Sequence, residues 1–283
     1  MSNIGIVGNG FVGNAIATGL IGYVDRIRIF DVQPERSTNS LGEVVNGSDV
    51  VFVSVPTPMA NVLGGKIDLS IVRRAFSMIS EIKREDLDPV FVLKSTVVPG
   101  TMETLQEEFP MLNLVFSPEF LTERYARLDF INSARIVLGG DPENIEKVAR
   151  VLRPRFPGAK FIETDFATAQ LIKYMANCFF AVKVSFMNEM YQAANACGAD
   201  WETAIAGFIS DGRIGNSHLQ VPGHDGDMGF GGKCFPKDLN ALIFYCEENG
   251  VDPVLLKAAW KKNMEVRSDL DWKEIAGAVS EDD

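Results

Sequence analysis

Cys234 is the residue whose neighbours point most directly to chemistry. It follows the glycine-rich run Gly229–Gly232 and comes two residues before Pro236, a residue suited to the first turn of a helix. The thiol is therefore expected just before the positive end of a helix, between Lys233 and Lys237, and both influences favour the nucleophilic thiolate. The sequence predicts a reactive cysteine at this position.

The other cysteines lie in a different context. Cys178, Cys197 and Cys246 fall within helical patterns, so we expect them to be inert, buried residues. The four cysteines contain no CxxC pair, and with only two histidines they indicate neither a disulfide framework nor a zinc cluster. His218 and His224 are interpreted as hydrogen-bonding residues of a loop, and no metal is expected.

A polar stripe follows an otherwise apolar helical segment. Lys173 and Asn177 lie four residues apart on one face, which Asn188 shares further along. Buried polar side chains need partners or a pocket. A lysine and a carboxamide there could hold a substrate hydroxyl and an activated water, and stabilise a developing oxyanion. The alternative is a lysine that reaches solvent beside a buried structural asparagine.

The glycine-rich segment near the start of the chain predicts a dinucleotide site. Gly8, Gly10 and Gly13 follow a predicted strand and open a predicted helix, with Phe11 and Val12 at its start. Such glycines permit a tight turn and let a pyrophosphate approach the helix N-terminus. The alternative is a glycine turn that only packs a strand against a helix.

Asp31 strengthens the dinucleotide interpretation. It ends the second predicted strand, at the distance from the glycines where an acidic residue accepts hydrogen bonds from a ribose diol. A carboxylate there repels a 2′-phosphate, so the expected cofactor is NAD rather than NADP.

These residues need a scaffold, which the hydrophobic pattern predicts. Short β-branched runs alternate with helical patterns in the first half, as is typical of a parallel, helix-covered sheet. The predicted strands are residues 3–8, 26–30, 49–55, 89–95, 112–117 and 134–140. Long helices follow, the first of which ends at Gly198. The predicted fold is α/β: a Rossmann-type doubly wound parallel sheet in residues 1–165 and an all-α domain with a long central helix in residues 166–283.

Composition and charge narrow the class of partner. The 283-residue chain is 46% hydrophobic and 23% charged, which is ordinary for a globular protein of about two domains. Its formal net charge of -11 argues against nucleic acid and anionic membrane surfaces, because phosphate groups would be repelled. The first residues lack the pattern of a secretory signal, and no apolar run has the length of about 20 residues that crosses a membrane. Together with reduced cysteines, these features predict a cytoplasmic protein.

Six segments form an ordered series of motifs. They are residues 54–58, 95–101, 117–123, 171–177, 211–215 and 229–238. In sequence and order they resemble the UDP-glucose/GDP-mannose dehydrogenase family, and most of all its UDP-glucose branch. The resemblance covers residues 1 to about 267. Family members usually continue into a second Rossmann-like domain, so the resemblance implies that this chain lacks the C-terminal UDP-binding domain.

The resemblance implies the NAD-dependent, four-electron oxidation of a sugar CH2OH group to a carboxylate, with UDP-glucose to UDP-glucuronate as the expected reaction. Asn177 and Asp238 would hold the water that deprotonates the alcohol, and Lys173 would stabilise the negative oxygen. An aldehyde has no adjacent alkoxide to expel its hydride. Cys234 would therefore add to it, giving a thiohemiacetal that becomes a thioester at the second oxidation.

The resemblance also assigns the remaining site residues. Glu123 would assist the water that hydrolyses the thioester, positioned with Thr96, and Glu119 would lie near the sugar and that water. The implied cofactor residues are Gly8, Gly10, Phe11, Val12, Gly13, Asp31, Pro56, Thr57, Thr96 and Glu123. The implied substrate residues are Glu119, Phe120, Leu121, Lys173, Asn177, Arg213, Gly231 and Lys233. Two alternatives remain: Arg213 as an exposed loop charge, and Glu119 and Glu123, one helical turn apart, as a solvated acidic face.

Two other functions remain open from the sequence. The chain could be a two-electron β-hydroxyacid-type dehydrogenase, because those enzymes also combine a Rossmann domain with a Lys-x-x-x-Asn helix, although Cys234 would then have no role. It could also be a non-catalytic module that binds NAD or a partner subunit. Stoichiometry and ligand binding separate the three hypotheses.

The helices between Pro236 and Arg267 predict an oligomer. They carry more apolar side chains than a small helical half can bury alone, which favours a homodimer through this half. The side chains concerned are Leu242, Phe244, Leu255, Leu256 and Trp260. The alternative is that they pack on the first helix of the same half.

Overall fold

The computed structural model describes residues 2–60, 65–275 and 279, and the chain forms two compact units. The first unit consists of the described residues of Met1–Thr57 and Leu69–Lys173. The second consists of those of Pro58–Asp68 and Tyr174–Asp283. The domain boundary that we predict between residues 165 and 166 remains a prediction.

Seven strands build the sheet of the first unit. They are β1 (Asn3–Val7), β2 (Arg26–Phe30), β3 (Val50–Val53), β4 (Val90–Leu93), β5 (Asn113–Phe116), β6 (Arg135–Gly140) and β7 (Lys160–Thr164). Their order across the sheet is β2-β1-β3-β4-β5-β6-β7. Strands β1 to β5 are parallel, β6 is antiparallel to β5, and β7 is parallel to β6. The order reverses between β1 and β3, and such a switch point opens a crevice at the carboxyl ends of the strands.

Helices cover both faces of this sheet. They are α1 (Phe11–Gly19), α2 (Leu41–Asn46), α3 (Ser70–Ile82), α4 (Thr101–Glu108), α5 (Ala126–Ile131) and α6 (Pro142–Leu152). Alternate side chains of a central strand enter opposite layers: Phe52 packs with Ile16 and Val148, whereas Val51 packs with Phe76. Burial on both faces explains the unbroken apolar runs of β3 and β4. The predicted Rossmann-type fold is confirmed, and β7 is a strand that the sequence pattern did not indicate.

Helix α7 (Phe166–Cys197) begins in the first unit and continues into the second, which also contains α8 (Trp201–Ile209), α9 (Phe235–Glu248) and α10 (Val254–Val266). After α7, Gly198 has a φ of +71°, as expected for a glycine that ends a helix. Ser185 on α7 donates a hydrogen bond of 2.9 Å to the carbonyl oxygen of Ala259 on α10. The predicted helical second half with a long helix is confirmed.

Candidate functional site

The glycine turn between β1 and α1 forms the first part of the candidate site. Gly8 has a φ of +89°, and a Cβ there would lie 2.7 Å from the carbonyl oxygen of Ser54, just after β3. A Cβ on Gly13 would lie 2.0 Å from the carbonyl oxygen of Gly8. A Cβ on Gly10 would meet nothing within 4 Å. Two glycines thus permit close backbone packing, and the third leaves open space where a pyrophosphate can approach α1.

Asp31 is fixed beside this turn. Its Oδ2 accepts a hydrogen bond of 2.6 Å from the backbone N–H of Asn9, and its Oδ1 accepts one of 2.9 Å from that of Gln33. In the described part of the chain, no side chain caps the start of α1, so the first-turn amides of Phe11 and Val12 can serve an anion. The turn, the carboxylate and the helix start together fit NAD.

Further predicted cofactor residues follow β3 and β4. Pro56 is exposed, whereas Thr57 and Thr96 are buried. Between them, the hydroxyl of Ser95 donates a 2.5 Å hydrogen bond to the carbonyl oxygen of Val55 and so joins the two segments. These residues follow the carboxyl ends of neighbouring parallel strands, and their contacts with NAD remain predictions.

Lys173 and Glu119 form a buried ion pair within the first unit. Lys173 Nζ lies 3.0 Å from Glu119 Oε1 and also donates a 2.7 Å hydrogen bond to the carbonyl oxygen of Glu119. The two side chains are only 3% and 9% exposed. Glu119 Oε2 accepts a 2.6 Å hydrogen bond from the N–H of Leu121. Lys173 therefore does not reach solvent, and Glu119 belongs to a buried polar cluster.

Glu119 and Glu123 do not share a helical face, so the alternative of a solvated acidic face does not hold for this pair. Residues 117–122 are not helical, and the N–H of Leu121 bonds the Glu119 carboxylate. A short 3-10 turn begins at Glu123. Glu119 is buried and Glu123 is exposed. Glu123 and Phe11 line a cavity of about 260 Å³, which places a predicted cofactor residue beside the start of α1.

Lys94 is a second buried lysine, which the sequence analysis did not single out. Its Nζ donates hydrogen bonds to Ser117 Oγ at 2.9 Å and to the carbonyl oxygen of Pro118 at 3.3 Å. Burial lowers the pKa of Lys94 to about 7; the charge of Lys173 also lowers this pKa, and Glu119 raises it. The sequence contained one indication of this residue: a lysine directly follows the apolar run of β4. A charge buried at the carboxyl end of a central strand needs hydrogen-bond partners nearby.

Glu119, Phe120 and Leu121 line a cavity of about 690 Å³ in the first unit. The Phe120 ring centroid lies 4.1 Å from the guanidinium carbon of Arg135 and 5.5 Å from Lys173 Nζ. The cations can be attracted to the ring face, which helps to fix this segment. The predicted substrate residues therefore border a space large enough for a small ligand.

In the second unit, Cys234 occupies the N-cap position of α9 and is half-buried, with Pro236 in the first turn. One turn further, Asp238 is 1% exposed. Its Oδ2 accepts a 2.6 Å hydrogen bond from Asn177 Nδ2, and its Oδ1 lies 2.6 Å from Lys237 Nζ. The predicted nucleophile thus begins the same helix that carries Asp238, and Asn177 reaches Asp238 from α7.

The remaining cysteines differ in exposure. Cys178 is buried, and burial raises the pKa of its thiol well above the ordinary value, with the charge of Asp238 acting in the same direction. Cys246 is half-buried, and burial raises its pKa. Cys197 is exposed, so the expectation of a buried residue is wrong there. It is the last residue of α7, and residues 195–200 are all exposed.

The other predicted substrate residues have different surroundings. The Arg213 side chain is 90% exposed and pairs with Asp211. Gly231 and Lys233 are half-buried. A Cβ on Gly231 would lie 2.2 Å from Arg267 Nη2, so a larger residue here would displace the Arg267 side chain. The substrate contacts of these residues remain predictions.

Among the described residues, no three His, Cys, Asp or Glu side chains form a group that could hold a metal ion. No helix of the described ranges combines the length and hydrophobicity needed to cross a membrane. The fold and the site define a class of protein. Its members combine a dinucleotide-binding Rossmann unit with a helical unit in which a cysteine lies at the start of one helix. The convergence of Cys234 with Lys173 beside the nicotinamide remains a prediction.

Comparison with known proteins narrows this class. The model of the NAD-binding domain of the UDP-glucose/GDP-mannose dehydrogenase family matches residues 33–156, and the model of its central domain matches residues 167–265. The UDP-glucose 6-dehydrogenase of Rickettsia conorii is 34% identical over 237 residues, which are 82% of this chain and 53% of that protein. This chain therefore belongs to the UDP-glucose/GDP-mannose dehydrogenase family, a family of NAD-dependent enzymes, and the predicted resemblance is confirmed. It spans about half the length of the curated relatives that it matches.

Solved structures agree with the family. A UDP-glucose dehydrogenase from the hyperthermophilic archaeon Pyrobaculum islandicum superposes with a TM-score of 0.82 at 29% identity, over 94% of this chain and 68% of that one. The 3-hydroxyisobutyrate dehydrogenase of Mycobacterium tuberculosis has a TM-score of 0.76 at 19% identity, over 98% of both chains. At that identity the second likeness shows the fold alone.

Proposed function

We propose that this chain carries out the NAD-dependent oxidation of the C6 alcohol of a nucleotide sugar to the carboxylate, with UDP-glucose as substrate and Cys234 as covalent nucleophile. The observation that carries the proposal is the 2.6 Å hydrogen bond between Asn177 and Asp238, one helical turn after Cys234. It joins the proposed water-holding pair to the helix that the nucleophile begins. The named relatives, which are UDP-glucose dehydrogenases, support the choice of substrate.

In the first oxidation, Asp238 and Asn177 hold a water that takes the proton of the C6 hydroxyl and passes a proton on to the Asp238 carboxylate. The pair suits this role because it is buried and its geometry is fixed, with the second carboxylate oxygen of Asp238 occupied by Lys237. The Lys173 ammonium, held by Glu119, stabilises the negative oxygen. When bound, NAD would accept one hydride at each oxidation, so two NAD molecules are used in turn for each carboxylate formed.

In the second oxidation, the sulfur of Cys234 forms a bond to the aldehyde carbon, and the carbonyl oxygen takes up the thiol proton. The resulting thiohemiacetal loses a hydride and the hydroxyl proton and becomes a thioester. Water, assisted by Glu123 and positioned with Thr96, then breaks the carbon–sulfur bond. The products are the carboxylate and the regenerated thiol, so one alcohol yields two hydrides.

The substrate-side roles follow the same proposal. Glu119, Phe120 and Leu121 contact the sugar, and the cavity of about 690 Å³ that they line supports this assignment. Arg213 and Lys233 face the anionic nucleotide, and the exposure of Arg213 leaves it available for such a contact.

The test is the stoichiometry of the purified chain with NAD and UDP-glucose. We expect two NADH per UDP-glucuronate, and we expect Cys234→Ala to form no acid. Cys197→Ala is the matched control, because it removes an exposed helical cysteine outside the proposed site, and it should behave as wild type. GDP-mannose and UDP-N-acetylmannosamine, assayed in parallel, test the sugar and the base.

Other outcomes identify the competing functions. One NADH per product without acid would contradict the proposal in favour of a two-electron hydroxyacid-type reaction. Calorimetry that shows tight NAD binding without binding of any sugar nucleotide would contradict it in favour of a non-catalytic module. Equal formation of acid by wild type and Cys234→Ala would refute the covalent mechanism.

We also propose a homodimer through the helical half. Helix α7 presents an exposed apolar stripe of Met175, Phe179 and Phe186, and Leu255 on α10 is exposed, whereas Leu242 is buried. Light scattering at micromolar concentration should give twice the chain mass, and Phe179→Asp should shift it to the monomer. A monomeric wild type would contradict the dimer.

The proposed cellular place of this function is the cytoplasm. Support comes from the four cysteines, none of which forms a disulfide in the described part of the chain, as expected in a reducing compartment. Fractionation of cells that express the protein should recover it in the cytoplasmic fraction, and recovery elsewhere would contradict this assignment.

A further inference from the structure

The loop that precedes Cys234 is held by side chains from distant parts of the second unit. Asn263 on α10 is fully buried; its Oδ1 accepts a 2.7 Å hydrogen bond from the N–H of Phe230, and its Nδ2 donates a 3.0 Å hydrogen bond to the carbonyl oxygen of Phe230. One carboxamide therefore satisfies both polar groups of one loop residue. Asn188 on α7 accepts a 3.1 Å hydrogen bond from the N–H of Gly229.

Two residues later in the loop, the backbone of Gly232 is held by an acidic side chain from beyond α10. Both carboxylate oxygens of Asp271 lie 3.1 Å from the N–H of Gly232. Arg267, whose side chain is 2% exposed, lies behind Asp271 at 3.4 Å and pairs with Asp225 at 2.9 Å. The missing side chain of Gly231 makes room for this arrangement, since a Cβ there would lie 2.4 Å from Asp271 Oδ1.

Aromatic rings hold the loop from its other end. The ring centroids of Phe230 and Phe235 lie 6.1 Å apart in an edge-to-face arrangement. Phe230 also packs on Trp260 at 6.3 Å, and Phe235 packs on His218 at 5.5 Å. The four residues from Gly231 to Cys234 therefore run between two anchored rings, and Cys234 is the last of them.

We propose that Asn263 and Asp271, with Arg267 behind Asp271, are positioning residues that hold the Cys234 sulfur where it can attack the aldehyde. The inference rests on the proposed function and deepens it, since none of these three residues needs to touch substrate. Covalent capture depends on a close approach of sulfur to the carbonyl carbon, and a displacement of about 1 Å can cost roughly a hundredfold in rate. The first oxidation does not use the sulfur and should tolerate the same displacement.

The difference between the first oxidation and covalent capture can be measured, and a purely structural role would not change it. In Asp271→Ala and Asn263→Ala, the first oxidation should continue while aldehyde escapes before capture. We expect NADH per acid to rise above two and free aldehyde to be trapped as a hydrazone, with kcat for acid lowered by about tenfold to a hundredfold. The Kd for NAD should stay at the wild-type value, because the NAD residues lie in the first unit.

Conservative and control variants keep the test sharp if an alanine variant folds poorly. Asp271→Asn retains an oxygen acceptor for the N–H of Gly232, so it should restore most of the acid formation that Asp271→Ala loses. Asp269→Ala is the matched control, since it removes an exposed aspartate two residues away whose carboxylate makes no hydrogen bond in the described ranges. All assays are run well below the melting temperature of each variant.

A second measurement separates this inference from the proposed function. Alkylation of each cysteine by iodoacetamide is followed by mass spectrometry, with exposed Cys197 as internal reference. We expect Asp271→Ala to slow alkylation of Cys234 relative to Cys197 by about threefold or more, because the thiol leaves its place at the start of α9. If wild type proves inactive, the proposed function fails and alkylation alone decides the inference.

Two results would overturn the inference. One is wild-type alkylation of Cys234 in both alanine variants. The other is a wild-type ratio of NADH to acid in both variants with no trapped aldehyde. A loss of activity that follows thermal stability alone, without recovery in Asp271→Asn, would assign these residues to folding and would also reject positioning.

Discussion

The two units place their candidate site residues by different means. In the first unit, the cofactor residues follow directly from strand ends: Gly8 continues β1, and Asp31 continues β2. Backbone geometry does most of the placing there, because the glycines pack the turn against its own helix and the neighbouring strand. In the second unit, the loop before Cys234 has no strand or helix of its own. Side chains such as Asn263 and Asp271, which come later in the chain, hold it instead.

The difference shows why one half of a site can be read from local sequence and the other cannot. A strand, a glycine turn and a helix specify one another over a short distance. A loop fixed by distant side chains has no local signature, since its partners are ordinary polar residues on other helices. Substitutions in the glycine turn of the first unit should therefore weaken NAD binding, whereas substitutions that release the loop of the second unit should impair covalent capture.

The ion pair of Lys173 and Glu119 is placed by side-chain contacts, although it lies in the first unit. Breaking it should give the largest change in stability. Lys173→Met or Glu119→Leu leaves one buried charge without its partner, so each should lower the free energy of unfolding by about 3–5 kcal/mol. The double variant removes both charges and should lose less than the sum of the two. Urea denaturation of the four proteins measures this coupling; additive losses would show that the two charges do not depend on each other.

Two glycines of the same turn should separate an effect on stability from an effect on NAD binding. Gly13→Ala should lower the free energy of unfolding by about 1–3 kcal/mol, because its Cβ would enter the space of the Gly8 carbonyl oxygen. Gly10→Ala should leave stability nearly unchanged but weaken NAD binding, since its Cβ occupies open space that the pyrophosphate needs. Calorimetry with NAD and thermal melting distinguish the two. Unchanged NAD affinity in Gly10→Ala would show that the cofactor does not approach this turn.

Lys94 predicts a gradual effect that is small for each pH unit, a dependence of stability on pH. Its pKa is lowered to about 7 in the folded chain, so between about pH 7 and 10 the unfolded chain binds more protons than the folded one. The free energy of unfolding should therefore rise with pH through this window, by at most roughly 1.4 kcal/mol per pH unit from this group. In Lys94→Met this contribution disappears. Denaturation at several pH values tests it, and a constant difference between the two proteins would contradict the lowered pKa.

Much of the first unit could be predicted from sequence, but its edge could not. Six strands follow from their apolar runs, whereas β7 does not, because Lys160–Thr164 has no buried residue and contains polar side chains. The antiparallel direction of β6 was also missed. The segment with α5 connects the end of β5 to the start of β6 on the same side of the sheet. No residue pattern predicts that path. The irregular backbone of residues 117–122 also has no sequence pattern of its own, because the four-residue spacing of Glu119 and Glu123 is equally compatible with a helix.

In the second unit, the reactive cysteine and the polar stripe could be read from sequence, but the residues that hold the loop could not. Asn263 offered one signal: a polar residue four positions after Ala259 on the buried face of α10 needs a partner. That partner is the backbone of Phe230, which no spacing rule could have named. Asp271 offered no comparable signal, because it lies in an acidic stretch that reads as solvent-exposed.

The proposed mechanism requires a covalent bond at Cys234 during turnover. Wild type and Glu123→Gln, the variant expected to hydrolyse the thioester slowly, are mixed with NAD and UDP-glucose, quenched with acid and digested for mass spectrometry. We expect an adduct of the nucleotide sugar on the peptide that contains Cys234, more abundant in Glu123→Gln than in wild type and absent without NAD. Steady formation of acid with no adduct on that peptide in either protein would contradict the account.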